Sequence, residues 1–279
     1  MGLTSAQIKG RIKKIAAENS SDARVLMRLY MMERFLERLS VSRYKDDFII
    51  KGGILVTSMV GVAMRSTMDI DASISNFTLD EGTALKVIQE ICDVSIPDNV
   101  SFTINKLESI MDDMEYPGLR IHLSSFCDGI NTPIKIDIST GDAITPRAVE
   151  YPFRLMLEDR NINLWTYNIE TVMAEKLQTI LARDIANTRM RDFYDIHTLL
   201  AQYESKIDCM IFKQAFVATC KKRGTSYLTT DLKTILSRIS GSSNLDMLWS
   251  IYQSKYPYAN GISFSDTIAS ITKLSHFLA

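Results

Sequence analysis

Through residues 5 to 45 the apolar positions recur every three or four residues, which predicts two amphipathic helices. The second carries Val25, Leu26, Leu29, Met32, Phe35, Leu36 and Leu39 on one stripe, with Arg24, Arg28, Arg34 and Arg38 interleaved. From Phe48 to about Leu164 the period shortens. Short β-type runs at 48–50, 68–74, 102–107, 119–126, 134–139 and 153–157, with helices between them, predict a mixed sheet. Beyond Ile169 the helical period returns, near 170–184, 190–204, 207–222, 229–239, 244–255 and 265–277. The pattern describes an α+β chain in three sections: N-terminal helices over 1–45 packing on a core, an α/β core over 46–168, and a helical domain over 169–279 that completes the site. No repeat or low-complexity tract interrupts it.

Composition sharpens this division. The 279 residues include 46% hydrophobic positions, 12 Gly and 6 Pro, enough for a sizeable core and unlike a disordered or collagenous chain. Lys and Arg (32) nearly balance Asp and Glu (33), but the balance is uneven along the chain. The first 45 residues carry a net charge of +6 and the remainder −7, so a polyanionic partner is met by a local patch. The longest uncharged run, Gly52 to Met64, has thirteen residues, against the roughly 20 a spanning helix needs. The N-terminus has no apolar secretory segment, and Ala6 stands where a myristoylation signal has Ser or Thr. Cys92, Cys127, Cys209 and Cys220 lack metal or disulfide spacing and read as core thiols. The expected location is the cytoplasm, without membrane contact.

The chemistry concentrates in two stretches. In Met68-Asp69-Ile70-Asp71-Ala72-Ser73-Ile74 the residues alternate, so Met68, Ile70, Ala72 and Ile74 face a core while Asp69 and Asp71 share the other face, about 6 to 7 Å apart at the backbone. In Ile134-Lys135-Ile136-Asp137-Ile138-Ser139 the alternation returns and puts Asp137 on the polar face. If the two strands are neighbours, three carboxylates converge, and hard oxygen ligands of this kind suit Mg2+ or Mn2+. Each Asp taken alone fits the solvated side of a strand better than a metal site, and it is the set of three that points to a cation. Upstream, Lys51-Gly52-Gly53 ends a short apolar strand and opens an uncharged helical run, where backbone N–H groups can hold a triphosphate or simply make a tight turn. Later, Lys176, Thr179 and Arg183 fall on one helix face able to present cations to phosphate. Asp192 and Asp195 lie at i and i+3 on the following helix. His122 and His197 have no nucleophile pattern near them and read as structural.

Taken in order, Lys51-Gly52-Gly53-Ile54-Leu55, Arg65-Ser66-Thr67-Met68-Asp69-Ile70-Asp71, Lys135-Ile136-Asp137-Ile138, Glu175-Lys176-Leu177 with Arg183, and Arg191-Asp192-Phe193-Tyr194-Asp195-Ile196 resemble the AbiEii/AbiGii toxin family. These are minimal nucleotidyltransferases of bacterial abortive-infection and type IV toxin–antitoxin systems. The resemblance spans about residues 20 to 205 and implies a DNA polymerase β-like nucleotidyltransferase core with a C-terminal helical domain. It assigns Asp69, Asp71 and Asp137 to metal binding, Lys176 to the nucleotide's phosphates, and Asp192, or alternatively Asp195, to the family's final acidic position. Gly52, Gly53, Arg65, Ser66 and Arg183 are the expected nucleotide contacts, with Lys51 and Thr67 beside them.

The implied reaction moves a nucleoside monophosphate from an NTP, with Mg2+ or Mn2+, to an acceptor hydroxyl. In some members the acceptor is the 3′ end of tRNA; other RNA or a protein hydroxyl stays open, as does a non-catalytic nucleotide- or RNA-binding protein on the same fold. A cognate antitoxin is the expected partner. Lys9, Arg11, Lys13, Lys14, Arg24 and Arg28 can approach an RNA backbone. One departure stands out: Ile54 follows the second Gly where many nucleotidyltransferases have a hydroxyl residue, leaving Thr57, Ser58, Ser66, Thr67 or the backbone to hold phosphate.

Overall fold

The computed structural model describes residues 3–19, 21–76, 79–110 and 118–278. Two compact units divide it, one made of Met1–Asp142 with Val149–Thr166, the other of Ala143–Ala148 with Tyr167–Ala279.

The first unit opens on helices α1 (Ser5–Glu18) and α2 (Ala23–Val41). Each start is fixed by an N-cap. The Thr4 hydroxyl accepts from the Gln7 amide while the Gln7 side chain accepts from the Thr4 amide, and Asp22 accepts from the Arg24 amide. The arginines of α2 divide by depth. Arg24 is exposed, whereas Arg34 and Arg38 are buried and held by carboxylates, Arg34 by Glu37 and Glu158 and Arg38 by Asp98 at 2.6 Å. A guanidinium tolerates such burial only when it is paired.

Seven strands form one mixed sheet: β1 (Phe48–Lys51), β2 (Ile70–Ile74), β3 (Ser101–Ile110), β4 (Gly118–Cys127), β5 (Ile130–Thr140), β6 (Val149–Arg154) and β7 (Asn161–Thr166), in the order β3-β4-β5-β2-β1-β7-β6. Helix α3 (Gly52–Val60) follows β1 directly, and α4 (Glu81–Cys92) lies between β2 and β3 in sequence. Pairing is parallel for β1 with β7 and β2 with β5, and antiparallel elsewhere. One face of the central strands is apolar, with Phe48, Ile50, Ile70, Ala72, Ile134, Ile136 and Ile138 buried, and α2 packs on β5 and β7.

The second unit holds α5 (Ile169–Arg183), α6 (Met190–Tyr203), α7 (Cys209–Lys222), α8 (Leu232–Ser240), α9 (Ser243–Lys255) and α10 (Phe264–Ser275). Asn168 caps α5 by accepting from the Thr171 amide, and its own amide donates to the Thr145 carbonyl at 2.6 Å, which ties 143–148 to this unit. Among the described residues no helix is long and apolar enough to cross a membrane.

Four expectations need correction. Met68 precedes β2 rather than lying in it and is 38% exposed, so it does not join the core stripe. The strand expected at 153–157 is β6, which begins at Val149 and ends at Arg154. Strand β7 is additional; its Asn161 and Asn163 are residues that strands disfavour. Cys209 is exposed, unlike the buried Cys92, Cys127 and Cys220.

Candidate active site

Strand register brings the acidic residues together. In the parallel pair β2–β5, Asp71 is the direct partner of Asp137. On the outer sides, Lys51 of β1 partners Asp71, and Arg120 of β4 partners Asp137. Partners in register project from the same face, so four adjacent strands present one row reading Lys51, Asp71, Asp137, Arg120. Asp69 lies two residues before Asp71, just outside the strand.

The cation at each end of the row is held by hydrogen bonds. Arg120 grips Asp137 bidentately, Nε to Oδ1 at 2.8 Å and Nη2 to Oδ2 at 2.6 Å. The Lys51 ammonium donates to the Ser139 hydroxyl at 2.7 Å and to Asp142 Oδ2 at 2.6 Å. Burial raises the pKa of the Asp71 carboxyl; the Gly53 N–H opposes that shift, the negative charges of Asp137 and Asp69 add to it, and Lys51 offsets it in part.

The turn between β1 and α3 is built around that carboxylate. Gly52 has φ +60°, and a Cβ there would meet Asp71 Oδ2 at 2.2 Å. A Cβ on Gly53 would meet Thr67 Oγ1 at 2.4 Å. The Gly53 N–H donates to Asp71 Oδ2 at 3.2 Å, so the loop amide that the sequence reading offers to phosphate lies on the carboxylate instead. Beneath the turn, Arg65 is buried and donates to the Gly53 carbonyl at 2.7 Å, to Thr57 Oγ1 at 3.1 Å and to the Ser66 carbonyl at 3.3 Å. The Thr57 hydroxyl also donates to the Gly53 carbonyl. Ile54 is wholly buried, so a hydroxyl at that position would face the core. Thr67 is buried as well, and Ser66 is half-buried.

In the helical unit, the Lys176 ammonium lies between two carboxylates, Asp192 Oδ1 at 3.0 Å and Asp195 Oδ2 at 2.6 Å. Asp195 is fully buried and Asp192 nearly so, and Arg189 Nε approaches Asp192 Oδ2 at 3.2 Å. Both acids thus share the one lysine. Arg183 is exposed at the end of α5. Arg191 stacks on the Tyr256 ring at 5.6 Å. His122 pairs with Glu108 across β3 and β4, and His197 bonds to Ser270.

The donor set suits a divalent cation through Asp69 and Asp71. Both are hard oxygen donors two residues apart, and the burial that raises the Asp71 pKa, with the negative charges of Asp137 and Asp69 adding to it, is what a bound cation would offset. Among the described residues no three Asp, Glu, His or Cys side chains close on a common point, in keeping with the hold of Arg120 on Asp137. Carboxylates completed by substrate phosphate oxygens are the usual Mg2+ arrangement. Arg120 and Asp142 are the residues that reading the sequence misses. The alternation Leu119-Arg120-Ile121-His122-Leu123 marks Arg120 as outward-facing, but only the pairing of β4 with β5 brings it to Asp137. For Asp142, just past β5, no periodic signal exists.

Comparisons with known proteins bear on the family and the fold. Residues 34–266 match the sequence profile of the family described as "Nucleotidyl transferase AbiEii toxin, Type IV TA system". No curated protein matches the chain. Among solved structures, JHP933 from Helicobacter pylori is similar, with a TM-score of 0.50 and 16% identity over 91% of this chain and 93% of that one. A further H. pylori structure, of a protein proposed to be a nucleotidyltransferase, has the same TM-score and identity over 91% and 96% of the two chains. At such identity the likeness concerns the fold.

Proposed function

The chain belongs to the AbiEii nucleotidyl transferase toxin family of type IV toxin–antitoxin systems, and from that premise we propose that it transfers a nucleoside monophosphate from an NTP to the 3′ end of tRNA in the cytoplasm, arresting growth until its antitoxin intervenes. The acceptor hydroxyl oxygen attacks the α-phosphorus, the bond to the bridging oxygen of the β-phosphate breaks, and pyrophosphate leaves. The observation that carries the reading is the in-register pair Asp71 and Asp137, with the Gly52-Gly53 turn closed on Asp71.

Asp69 and Asp71 would hold Mg2+ or Mn2+ together with the nucleotide's phosphate oxygens. When bound, the ion neutralises charge developing on the transferring phosphoryl group. Asp137, once released by Arg120, would take the proton of the acceptor hydroxyl or help hold a second ion. Gly52 and Gly53 let the backbone come up against the Asp71 carboxylate, and Arg65 supports that turn from beneath rather than touching phosphate. Ser66, half-buried after Arg65, supplies the hydroxyl that Ile54 cannot. By the family's pattern, Lys176, its charge balanced by Asp192 and Asp195, and Arg183 are the cations assigned to phosphate.

The test is to incubate purified protein with Mg2+, each labelled NTP and either total tRNA or cell lysate. We expect labelled RNA with wild type and a loss of at least about 100-fold for Asp69→Ala. Equal label from both proteins would remove Asp69 from the site, and label on protein alone would replace the tRNA acceptor with a protein hydroxyl. In cells, induction of wild type should stop growth, and Asp71→Ala and Lys176→Ala should not.

A further inference from the structure

Of the six basic residues that the sequence offers to RNA, the structure divides four from two. Arg11 turns away and donates to the Leu157 carbonyl at 2.6 Å, and Lys14 pairs with Glu18 on the same helix. Lys9 and Lys13 of α1 and Arg24 and Arg28 of α2 instead line a groove of about 380 Å³ between these helices and the start of β5, with Arg24 also paired to the exposed Asp22 at 3.0 Å, so that a phosphate there would share its guanidinium. Among the described residues its lining includes no Asp or Glu, and Met27 and Pro133 give it an apolar floor.

The spacing is that of a strand-shaped polyanion. Each helix contributes cations at i and i+4, which an α-helix sets about 6 Å apart along its axis, close to the step between successive phosphates in a nucleic acid strand. The groove thus has two rows of cations over a surface against which a ribose or base can lie. Arg28 closes one end. Its Nη1 lies 3.1 Å from the sulfur of Met68, the residue before Asp69.

We propose that this groove binds the phosphodiester backbone of the RNA acceptor and directs it past Arg28 toward Asp69. The proposal rests on the nucleotidyltransferase reading for its choice of ligand. A continuous run of phosphates accounts for both cation rows and the apolar floor together. An acidic protein segment would use the cations and leave the ribose-sized floor without a purpose.

The experiment is anisotropy of a fluorescein-labelled, mixed-sequence single-stranded RNA 12-mer titrated with the full chain, without NTP, across a salt series. Four phosphate contacts give a slope of log K against log salt of about −2.8, at roughly 0.7 per contact for single strands. Lys9→Gln/Lys13→Gln should lower the slope by about 1.4 and weaken binding about tenfold. The equally charged control Lys14→Gln/Lys86→Gln should do neither, and circular dichroism melts check that both variants fold. Unlabelled total tRNA should compete, and polyglutamate of matched charge should compete far less.

Equal loss in both variants, an unchanged slope in the groove variant, or polyglutamate displacing RNA as well as tRNA does would overturn the proposal. Transfer assays separate it from the catalytic reading. If the groove variant labels tRNA with unchanged KM, the groove assignment falls and the enzyme stands. If wild type transfers no nucleotide yet binds RNA with the expected slope, the enzyme reading falls and the groove stands.

Discussion

At the scale of residues, the arrangement around Asp137 decides how the site behaves before substrate arrives. Two carboxylates directly opposite on neighbouring strands repel, and Arg120, fixed bidentately on Asp137, neutralises one of them. A cation that requires Asp137 must displace that guanidinium, whereas one that uses Asp69 and Asp71 need not. Arg120→Ala removes the resident cation and leaves three carboxylates on one patch. We expect Mn2+ binding without nucleotide, followed by electron paramagnetic resonance, to tighten several-fold in this variant. Unchanged or weaker binding would show that Arg120 does not compete with a metal. Arg65 illustrates the opposite fate of a cation. Its sequence neighbours suggest phosphate contact, but its place beneath the Gly53 carbonyl makes it part of the turn.

At the scale of elements, the turn from β1 into α3 carries the strictest demand. Gly52 combines a left-handed φ with a carboxylate where its Cβ would be, so Gly52→Ala must both strain the backbone and push Asp71 aside. A cost of about 1 to 3 kcal/mol in stability is expected for such strain, read as a lower denaturant midpoint, with transfer activity lost beyond what the fraction unfolded explains. Activity retained at wild-type level would mean that the closeness of the turn to Asp71 is unimportant. Much of this was readable in the sequence. Strict alternation around Asp71 and Asp137 identified two strands and their polar faces, and the three-to-four spacing after Ile169 located α5 to α10 to within a few residues. Pairing was not readable, because alternation describes each strand alone; Arg120 therefore had no visible relation to Asp137. At the sheet edge the difficulty was local. Strand β6 carries Pro152, which an edge strand can accept, and β7 carries two Asn residues, so neither has the composition of a buried strand.

At the scale of the molecule, folding buries the carboxyl of Glu33. Glu33 on α2 is fully buried, and its oxygens accept the Met156 amide at 2.9 and 3.1 Å. Burial pushes its pKa up from 4.5 to about 8. Between those values the folded chain keeps a proton that the unfolded chain has lost, so this contribution to stability is complete below about pH 4.5 and is lost as the pH rises through about 8. Glu33→Gln keeps an acceptor for Met156 without a charge to bury, and its melting temperature should fall less than wild type's between pH 5.5 and 8.5. Parallel falls in the two proteins would place the pH dependence elsewhere. The path of the chain has a consequence of another kind. It leaves the first unit after Asp142, returns at Val149 and leaves again after Thr166, so a clean cut at any one peptide bond strands part of one unit on the other. A fragment starting at Tyr167 lacks the Thr145 carbonyl that receives Asn168 at the start of α5. Exchanging the sheet for that of a related chain would require matching three junctions at once, after Asp142, before Val149 and after Thr166.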